Sequence, residues 1–183
     1  MKTQDKHQML DEKGIRRIID RMAHEILERN KGAENLVLVG MLTRGVVVAK
    51  RLAESIKTIE KAAPQTGSLD ITFYRDDFRS RLKQPSVKAT DIPFSIQDKD
   101  VVLVDDVLFT GRTARAALDA LNDFGRARTI QLAVLIDRGH RELPIQADYA
   151  GKAVTTSPNE EIAVRFRETD QKEGVWLVDV QAV

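Results

Sequence analysis

Apolar residues recur along the chain in two alternating patterns, one with helical spacing and one in short continuous runs. Steps of three and four residues predict helices over Asp11–Asn30, Gly45–Ala62 and Thr113–Phe124. The continuous runs predict buried strands at Leu36–Val39, Ile71–Tyr74, Val101–Val104 and Ile130–Ile136. Asp11 is the expected N-cap of the first helix, and Gly32 is its expected stop. This alternation predicts an α/β fold, a mostly parallel sheet with helices on both faces.

The pattern changes toward the C-terminus. After Tyr149 only shorter runs appear, and Ala163–Phe166 and Val175–Val178 are predicted strands. No internal repeat and no composition shift divides the chain. We therefore expect a single domain over residues 1–183, in which an α/β core carries a β-rich C-terminal addition.

Composition excludes several kinds of site. The chain has 183 residues and no cysteine, so a disulfide framework, a thiolate metal site and a cysteine nucleophile are excluded, and a reducing cytoplasm is expected. The formal net charge is only +1, so any nucleic-acid site must arise from local charge. Residues 1–10 are polar, and no apolar run approaches the length of a membrane span.

The loop after the third predicted strand carries the most informative chemistry. Two acids follow the strand, and a Thr-Gly-Arg-Thr turn then opens a helix. A helix N-terminus offers unpaired backbone N–H groups and a positive dipole end, which favour a phosphate. Gly111 permits close backbone approach, and Thr110 and Thr113 add hydroxyl donors. The carboxylates of Asp105 and Asp106 suit ribose hydroxyls, so the predicted ligand is a phosphorylated sugar.

Other phosphate motifs do not match this loop. It lacks the Gly-Lys-Ser/Thr ending of a Walker A loop and the G-x-G-x-x-G of a dinucleotide site. The alternative is a capped turn in which the two acids only accept backbone hydrogen bonds. Parallel sheets bind ligands beyond the carboxyl ends of their strands. Gly40–Gly45, Tyr74–Asp77 and Asp137–Arg141 are therefore expected beside this loop.

The loop resembles the signature with which type I phosphoribosyltransferases bind phosphoribosyl pyrophosphate (PRPP). Three further segments resemble one group of that family, the PyrR group of bifunctional pyrimidine operon regulators and uracil phosphoribosyltransferases. These segments are residues 40–45 (GMLTRG), 71–77 (ITFYRDD) and 137–145 (DRGHRELPI). The resemblance extends from about Asp11 to about Thr156. It implies the type I fold, a cytoplasmic homo-oligomer (a dimer or higher), and formation of UMP and pyrophosphate from uracil and PRPP.

The resemblance also implies roles for individual residues. It assigns PRPP and UMP binding to Thr43, Arg44, Gly45, Asp105, Asp106, Val107, Leu108, Phe109, Thr110, Gly111, Arg112 and Thr113. Asp105, Asp106, Arg44 and Arg75 form the implied catalytic set, with the acids on the ribose and the arginines on the pyrophosphate. Arg138 is implied near the uracil. Mg²⁺ is expected to arrive bound to PRPP rather than in a protein site.

Several of these segments have simpler interpretations when they are taken alone. Thr43 is then an N-cap followed by a surface arginine. The segment 75–99 contains Pro85 and Pro93 and is expected to be a flexible catalytic loop, although Asp76 and Asp77 also fit a solvated loop. His140 fits an exposed or capping role as well as a catalytic one. No residue stands out as a general base for uracil.

The resemblance further implies UMP-dependent binding of a pyrimidine leader mRNA hairpin through a basic face. The candidate residues are Arg17, Arg21, His24, Arg29, Arg141 and Lys152. A solvated helix face, in which acids interleave with these bases, is the alternative. The chain departs from the family pattern at Asp20, where a threonine is common, and at Gln146, where an arginine follows Leu-Pro-Ile. Both departures oppose phosphate binding.

Two other functions compete with a uracil phosphoribosyltransferase. One is a nucleotide-sensing, RNA-binding regulator with feeble catalysis, and the other is a phosphoribosyltransferase for another base. The presence of Thr43–Gly45 and Arg75 favours an enzyme, because a UMP sensor needs no pyrophosphate site. The segment 137–145 favours uracil.

Overall fold

The computed structural model describes residues 3–74, 89–157 and 159–180. In chain order its elements are β1 (Thr3–Leu10), α1 (Glu12–Asn30), β2 (Leu36–Met41), α2 (Arg44–Glu60), β3 (Gln65–Leu69), β4 (Asp100–Leu108), α3 (Arg112–Leu121), β5 (Thr129–Asp137), β6 (Tyr149–Ala153), β7 (Glu160–Arg165), α4 (Arg167–Asp170) and β8 (Gly174–Val180). Single 3-10 turns at Thr72–Tyr74 and Asn122–Phe124 complete the regular structure.

Five strands form a parallel sheet in the order β3-β2-β4-β5-β6. Its central strands are apolar along their length because helices cover both faces. In β4, Val102 and Val104 pack with α1 and α2, whereas Val101 and Leu103 pack with α3. The α/β class predicted from the alternating patterns is confirmed.

Helix α1 follows its sequence signals closely. Asp11 caps it, because the Asp11 carboxylate accepts a hydrogen bond from the Gly14 backbone N–H at 2.7 Å. The helix ends at Asn30, and Lys31 takes the left-handed conformation one residue before the predicted stop at Gly32. In the part of the chain that the structure describes, neither α1 nor any other helix combines the length and apolar character needed to cross a bilayer.

A second sheet is antiparallel and has the order β1-β8-β7. It includes the two strands predicted at the C-terminus and β1, which the polar sequence of residues 1–10 concealed. Val164 and Val175 of its inner side, together with Phe166 directly after β7, join the core that α1 and α2 form. The second sheet is therefore attached to the helical face of the first.

The predicted strand at Ile71–Tyr74 is wrong. The strand in this region is β3, which lies earlier in a polar stretch, and residues 72–74 form a 3-10 turn. Asp70 ends the strand, because its carboxylate accepts hydrogen bonds from the Thr72 backbone N–H at 2.8 Å and from the Thr72 hydroxyl at 2.5 Å. Such an aspartate turn competes with strand pairing.

Candidate active site

Three loops meet at the carboxyl ends of β2, β4 and β5. Parallel pairing places Gly40 beside Val104, and Leu108 beside Asp137. Backbone hydrogen bonds then join the loops after β4 and β5, because the N–H groups of Glu142 and Leu143 both donate to the Thr110 carbonyl. This is the edge at which parallel sheets bind their ligands.

Strand β4 extends four residues further than its apolar run predicts. Asp105 and Asp106 therefore lie inside the strand, where each carboxylate accepts a hydrogen bond from the next backbone N–H, at 2.9 and 3.0 Å. The loop continues to Gly111, whose φ of 91° favours glycine. A Cβ there would lie 3.4 Å from Leu143 and Ile145. The acids and the N-terminus of α3 are thus held on one short loop.

The electrostatics of Asp106 differ from those of a surface carboxyl. Burial at the strand end raises the pKa of Asp106, and it outweighs the opposing effects of the Asp105 hydrogen bond and of the Arg44 charge. Ionising a buried carboxyl costs free energy unless a partner stabilises the charge. Hydroxyl donors from a ligand would supply that partner.

The start of α2 lies directly against β4. A Cβ on Gly45 would come within 2.3 Å of the Val104 carbonyl oxygen, so only glycine permits this approach. Thr43 precedes the helix, but its side chain does not cap it. Thr43 is therefore the N-cap residue that the simpler interpretation predicted, but it occupies this position without a capping hydrogen bond from its side chain.

Arg44 points toward the second sheet. Its Nε and Nη2 donate to the two carboxylate oxygens of Asp170, at 3.2 and 2.5 Å. Burial opposes ionisation of Asp170, but the hydrogen bonds from Arg44, Thr169 and the Phe166 backbone lower its pKa to about 2. Because the Arg44 charge also acts on Asp106, Arg44 links the acid pair to the second sheet.

The loop after β5 builds a wall around Phe109. The Arg138 guanidinium lies 3.9 Å from the centre of the Phe109 ring, and His140 approaches the same ring edge-on at 6.0 Å. Arg138 is buried and donates to the Thr156 hydroxyl and to the Glu160 carbonyl. His140 contacts the Thr156 carbonyl at 2.8 Å. Phe109 itself remains partly exposed, so an aromatic face borders the site.

Comparison with known proteins agrees with this geometry. The family model of the phosphoribosyl transferase domain matches residues 6–171. A protein of Pelotomaculum thermopropionicum named Bifunctional protein PyrR is 59% identical over 175 residues, which are 96% of this chain and 97% of the relative. A protein of the same name from Bacillus mycoides is 57% identical over 178 residues, 96% and 99% of the two chains. The chain belongs to the PyrR family.

Solved structures support the same fold. A hypoxanthine-guanine phosphoribosyltransferase of Bacillus anthracis superposes with a TM-score of 0.71 and 20% identity, over 97% of this chain and 99% of the other. A hypoxanthine phosphoribosyltransferase of Staphylococcus aureus gives 0.69 and 22%, over 97% and 93%. At these identities the comparison shows the type I fold alone. In the antiparallel sheet of this chain, β7 and β8 are the C-terminal strands that the β-rich pattern predicted, and β1 comes from the N-terminal part.

Five of the predicted RNA-binding side chains of this PyrR-family chain are exposed on α1 and on the neighbouring strand β6. Arg17, Arg21, His24 and Arg29 are exposed on α1, and Lys152 is exposed on the neighbouring β6; we name these five residues the α1–β6 face. Gly151 permits the close packing, since a Cβ there would lie 2.5 Å from an Ile18 methyl carbon. Arg21 donates to the Gly151 carbonyl at 2.6 Å and pairs with Glu25.

The sixth candidate, Arg141, lies elsewhere. Its guanidinium donates to both carboxylate oxygens of Asp137 at 2.7 Å, and to the backbone carbonyls of Phe109, Gly139 and Ile145. Arg141 thus ties the loop after β5 to the loop after β4. In the same region Arg112 pairs with Glu142 at 2.6 Å. These contacts place Arg141 in the wall of the candidate site.

Part of the predicted site lies outside the residues that the structure describes. Arg75, Asp76 and Asp77 lie outside the described residues, as do most residues of the predicted catalytic loop. Tyr74, the last residue described before them, donates its hydroxyl to Asp123 after α3. No sequence signal pointed to Asp170 or Thr156, which contact Arg44 and Arg138 from the C-terminal third of the chain.

Proposed function

We propose that this PyrR-family chain is a uracil phosphoribosyltransferase that also binds a pyrimidine leader RNA when UMP is present. The observation that carries the enzymatic part is the convergence of three loops, which brings an acid pair, the N-termini of α2 and α3, and Arg44 to one edge of the sheet. The bifunctional name of relatives at 57–59% identity supports the pairing of two activities. A cytoplasmic homo-oligomer is part of the same proposal.

The ligand is proposed to bind in one orientation. Asp105 and Asp106 accept hydrogen bonds from the ribose hydroxyls, and residues 110–113 at the start of α3 hold the 5′-phosphate. The loop from Thr43 to Gly45 receives the pyrophosphate, with Arg44 as a charge-assisted donor. As the ribose gains cationic character, the two carboxylates stabilise it electrostatically. Transfer then rests on positioning and fixed charge rather than on a covalent intermediate.

Magnesium enters this proposal with PRPP. No cluster of three or more acidic or histidine side chains in residues 3–74, 89–157 and 159–180 is arranged to hold a metal ion. Mg²⁺ commonly keeps several waters and needs few protein ligands, and carboxylate oxygens such as those of Asp105 and Asp106 are donors it prefers. When bound, the ion neutralises the leaving pyrophosphate.

The base lies in this proposal against the wall that Phe109, Arg138 and His140 form. Arg138 donates to Thr156 and Glu160 and lies over the Phe109 ring, so it contributes to uracil binding by holding that ring in place. The alternative, a sensor with feeble catalysis, is less favoured because Arg44 is held at the start of α2 beside the acid pair. A sensor of UMP gains nothing from such a pyrophosphate site.

The direct test is an assay of product formation with two bases. The protein is incubated with PRPP, Mg²⁺ and either uracil or hypoxanthine, and nucleotide and pyrophosphate are quantified. We expect UMP in stoichiometry with pyrophosphate from uracil, and no detectable inosine monophosphate. Turnover of hypoxanthine but not of uracil would show that the protein shares the base specificity of the solved structures as well as their fold. Binding of UMP without turnover of either base would favour the sensor.

Arg44→Ala is expected to weaken PRPP binding roughly 10- to 100-fold, because a charge-assisted hydrogen bond contributes about 1.5–3 kcal/mol. UMP has no pyrophosphate, so its affinity should change by less than about threefold on the same scale. Isothermal titration of the purified variant with each ligand measures both. Equal losses for the two ligands would assign Arg44 a structural role.

A further inference from the structure

The connection between β7 and β8 is tied to α2 by two separate groups of ion pairs. In the first group Arg51 binds Glu168 at 2.8 Å and Glu173 at 2.5 Å. In the second group Asp170 binds Arg44. Arg44 directly precedes Gly45, the glycine that packs against β4. Only the second group reaches the site, because Arg51 lies two helical turns further along α2.

Asp170 is itself held firmly. Its carboxylate accepts hydrogen bonds from the Phe166 backbone N–H at 3.0 Å and from the Thr169 hydroxyl at 2.6 Å. Phe166 is fully buried in the core between α1, α2 and the second sheet. An unbroken series of contacts therefore runs from the core through Asp170 to the Arg44 guanidinium.

We propose that Asp170 is a positioning residue, which orients Arg44 so that its guanidinium is already aimed at the pyrophosphate of PRPP. This inference rests on the proposed function, since it assumes that Arg44 belongs to the pyrophosphate site. A guanidinium has five N–H donors, and Asp170 uses two of them, Nε–H and one on Nη2. Among the residues that the structure describes, the other three donors of Arg44 have no hydrogen-bond partner, so they can bind the oxygens of a phosphate.

The physical gain is the ordering of a long side chain before the ligand arrives. An arginine loses much rotamer freedom when it binds, and a side chain that is already ordered loses less. A second effect acts in the opposite direction. Asp170 is an anion, so it competes with pyrophosphate for the Arg44 guanidinium. The two effects predict opposite changes in PRPP affinity when the Asp170 charge is removed.

The test compares Asp170→Asn with Glu168→Gln, a matched control that removes an acid from the same short helix but pairs with Arg51. We expect Asp170→Asn to weaken PRPP binding about three- to tenfold, the range for losing the order of one side chain. UMP binding should stay within about twofold on the same basis. Glu168→Gln should leave both affinities unchanged, and thermal unfolding reports whether each variant is folded.

A double-mutant cycle identifies the route of the effect. If Asp170 acts only through Arg44, then Asp170→Asn should change nothing further in an Arg44→Ala background. An additive loss, a loss shared equally by UMP, or tighter PRPP binding by Asp170→Asn would each overturn the inference. If Asp170→Asn does not fold, Asp170→Glu keeps the charge and displaces it by one methylene. It should weaken PRPP selectively, and unchanged PRPP affinity would count against the inference.

The wild-type protein separates this inference from the proposed function. If the wild type does not bind PRPP, the proposed function fails and the role of Arg44 with it. If the wild type binds PRPP and forms UMP, but Asp170→Asn behaves like Glu168→Gln, the enzyme stands and only the positioning role of Asp170 fails.

Discussion

Replacing Asp105 and Asp106 together by asparagine is expected to lower the kcat/KM for UMP formation by roughly 10²- to 10⁴-fold while the protein stays folded. The double variant removes two charge-assisted hydrogen bonds to the ribose, each worth about 1.5–3 kcal/mol. It also removes the negative charge that stabilises a cationic ribose in the transition state. Steady-state kinetics with varied PRPP measure the loss, and circular dichroism checks the fold.

The stability of the same variant gives an independent check on the site. Burial raises the folded-state pKa of Asp106 above the ordinary value of 3.8. At pH values above 3.8 the Asp106 carboxyl ionises more readily in the unfolded chain than in the folded one. The wild type therefore loses stability as the pH rises. An asparagine at this position does not ionise, so the variant should be at least as stable as the wild type at pH 7. Its advantage should shrink as the pH approaches about 4, which thermal unfolding across this range would show.

Asp100→Asn is the matched control, at the amino end of the same strand. Hydrogen bonds from Arg128 lower the pKa of Asp100, although burial opposes them. Its contribution to stability is therefore present above the ordinary pKa and is lost as the pH falls. Asp100→Asn should destabilise the protein at pH 7 and leave transfer unchanged. Normal UMP formation by folded Asp105→Asn/Asp106→Asn would contradict the site assignment.

The parts of the site that were predictable are those built from contiguous residues. The acids, Gly111 and the start of α3 lie within nine residues, so strand, turn and helix signals could be combined locally. The strands β2, β4 and β5 were predictable for a similar reason, because burial on both faces makes them continuously apolar. In contrast, β1 and β3 are polar strands, each with only part of its surface covered, and no periodic pattern marks them.

The parts that were not predictable depend on tertiary pairing. Arg44 and Asp170 are 126 residues apart in sequence, and Arg138 meets Thr156 only because the loop after β5 folds back. An arginine in a motif does not reveal which acid neutralises it. The same reason explains Arg141, whose charge suited RNA but whose partners are Asp137 and backbone carbonyls of the active-site wall. The partner of a charged side chain is therefore set by tertiary contacts, which its local sequence does not reveal.

The last prediction concerns RNA binding. The two departures from the family pattern, Asp20 and Gln146, lie in different surroundings in the structure. Asp20 accepts a hydrogen bond from Ser55 of α2 at 2.9 Å, so it lies on the side of α1 toward α2 and has a partner. Gln146 is exposed in the segment that leads into β6, six residues before Lys152, and its neighbours Ile145 and Ala147 pack with the core under α3. Gln146→Arg should therefore have the larger effect of the two restorations.

The experiment measures affinity for a pyrimidine leader hairpin with UMP present, at several salt concentrations. Asp20→Thr with Gln146→Arg should raise affinity roughly 10- to 100-fold, as one well-formed arginine–phosphate contact contributes about 1.5–3 kcal/mol. The plot of log K against log salt should steepen by about 0.7–0.9, because each new phosphate contact releases one condensed counterion. The gain should depend on UMP, since the proposal makes RNA binding UMP-dependent.

Asn122→Arg is the control for charge alone, because it adds the same cation at an exposed position beyond the C-terminal end of α3, whereas Ile145, next to Gln146, lies near the N-terminal end of that helix. If Asn122→Arg raises affinity as much as Gln146→Arg does, the RNA responds to net charge and the α1–β6 face is not its site. If neither variant changes affinity, the RNA binds elsewhere. A selective, UMP-dependent gain with a steeper salt slope would show that Gln146 borders the RNA, and that its neutral side chain limits affinity in this member of the PyrR family.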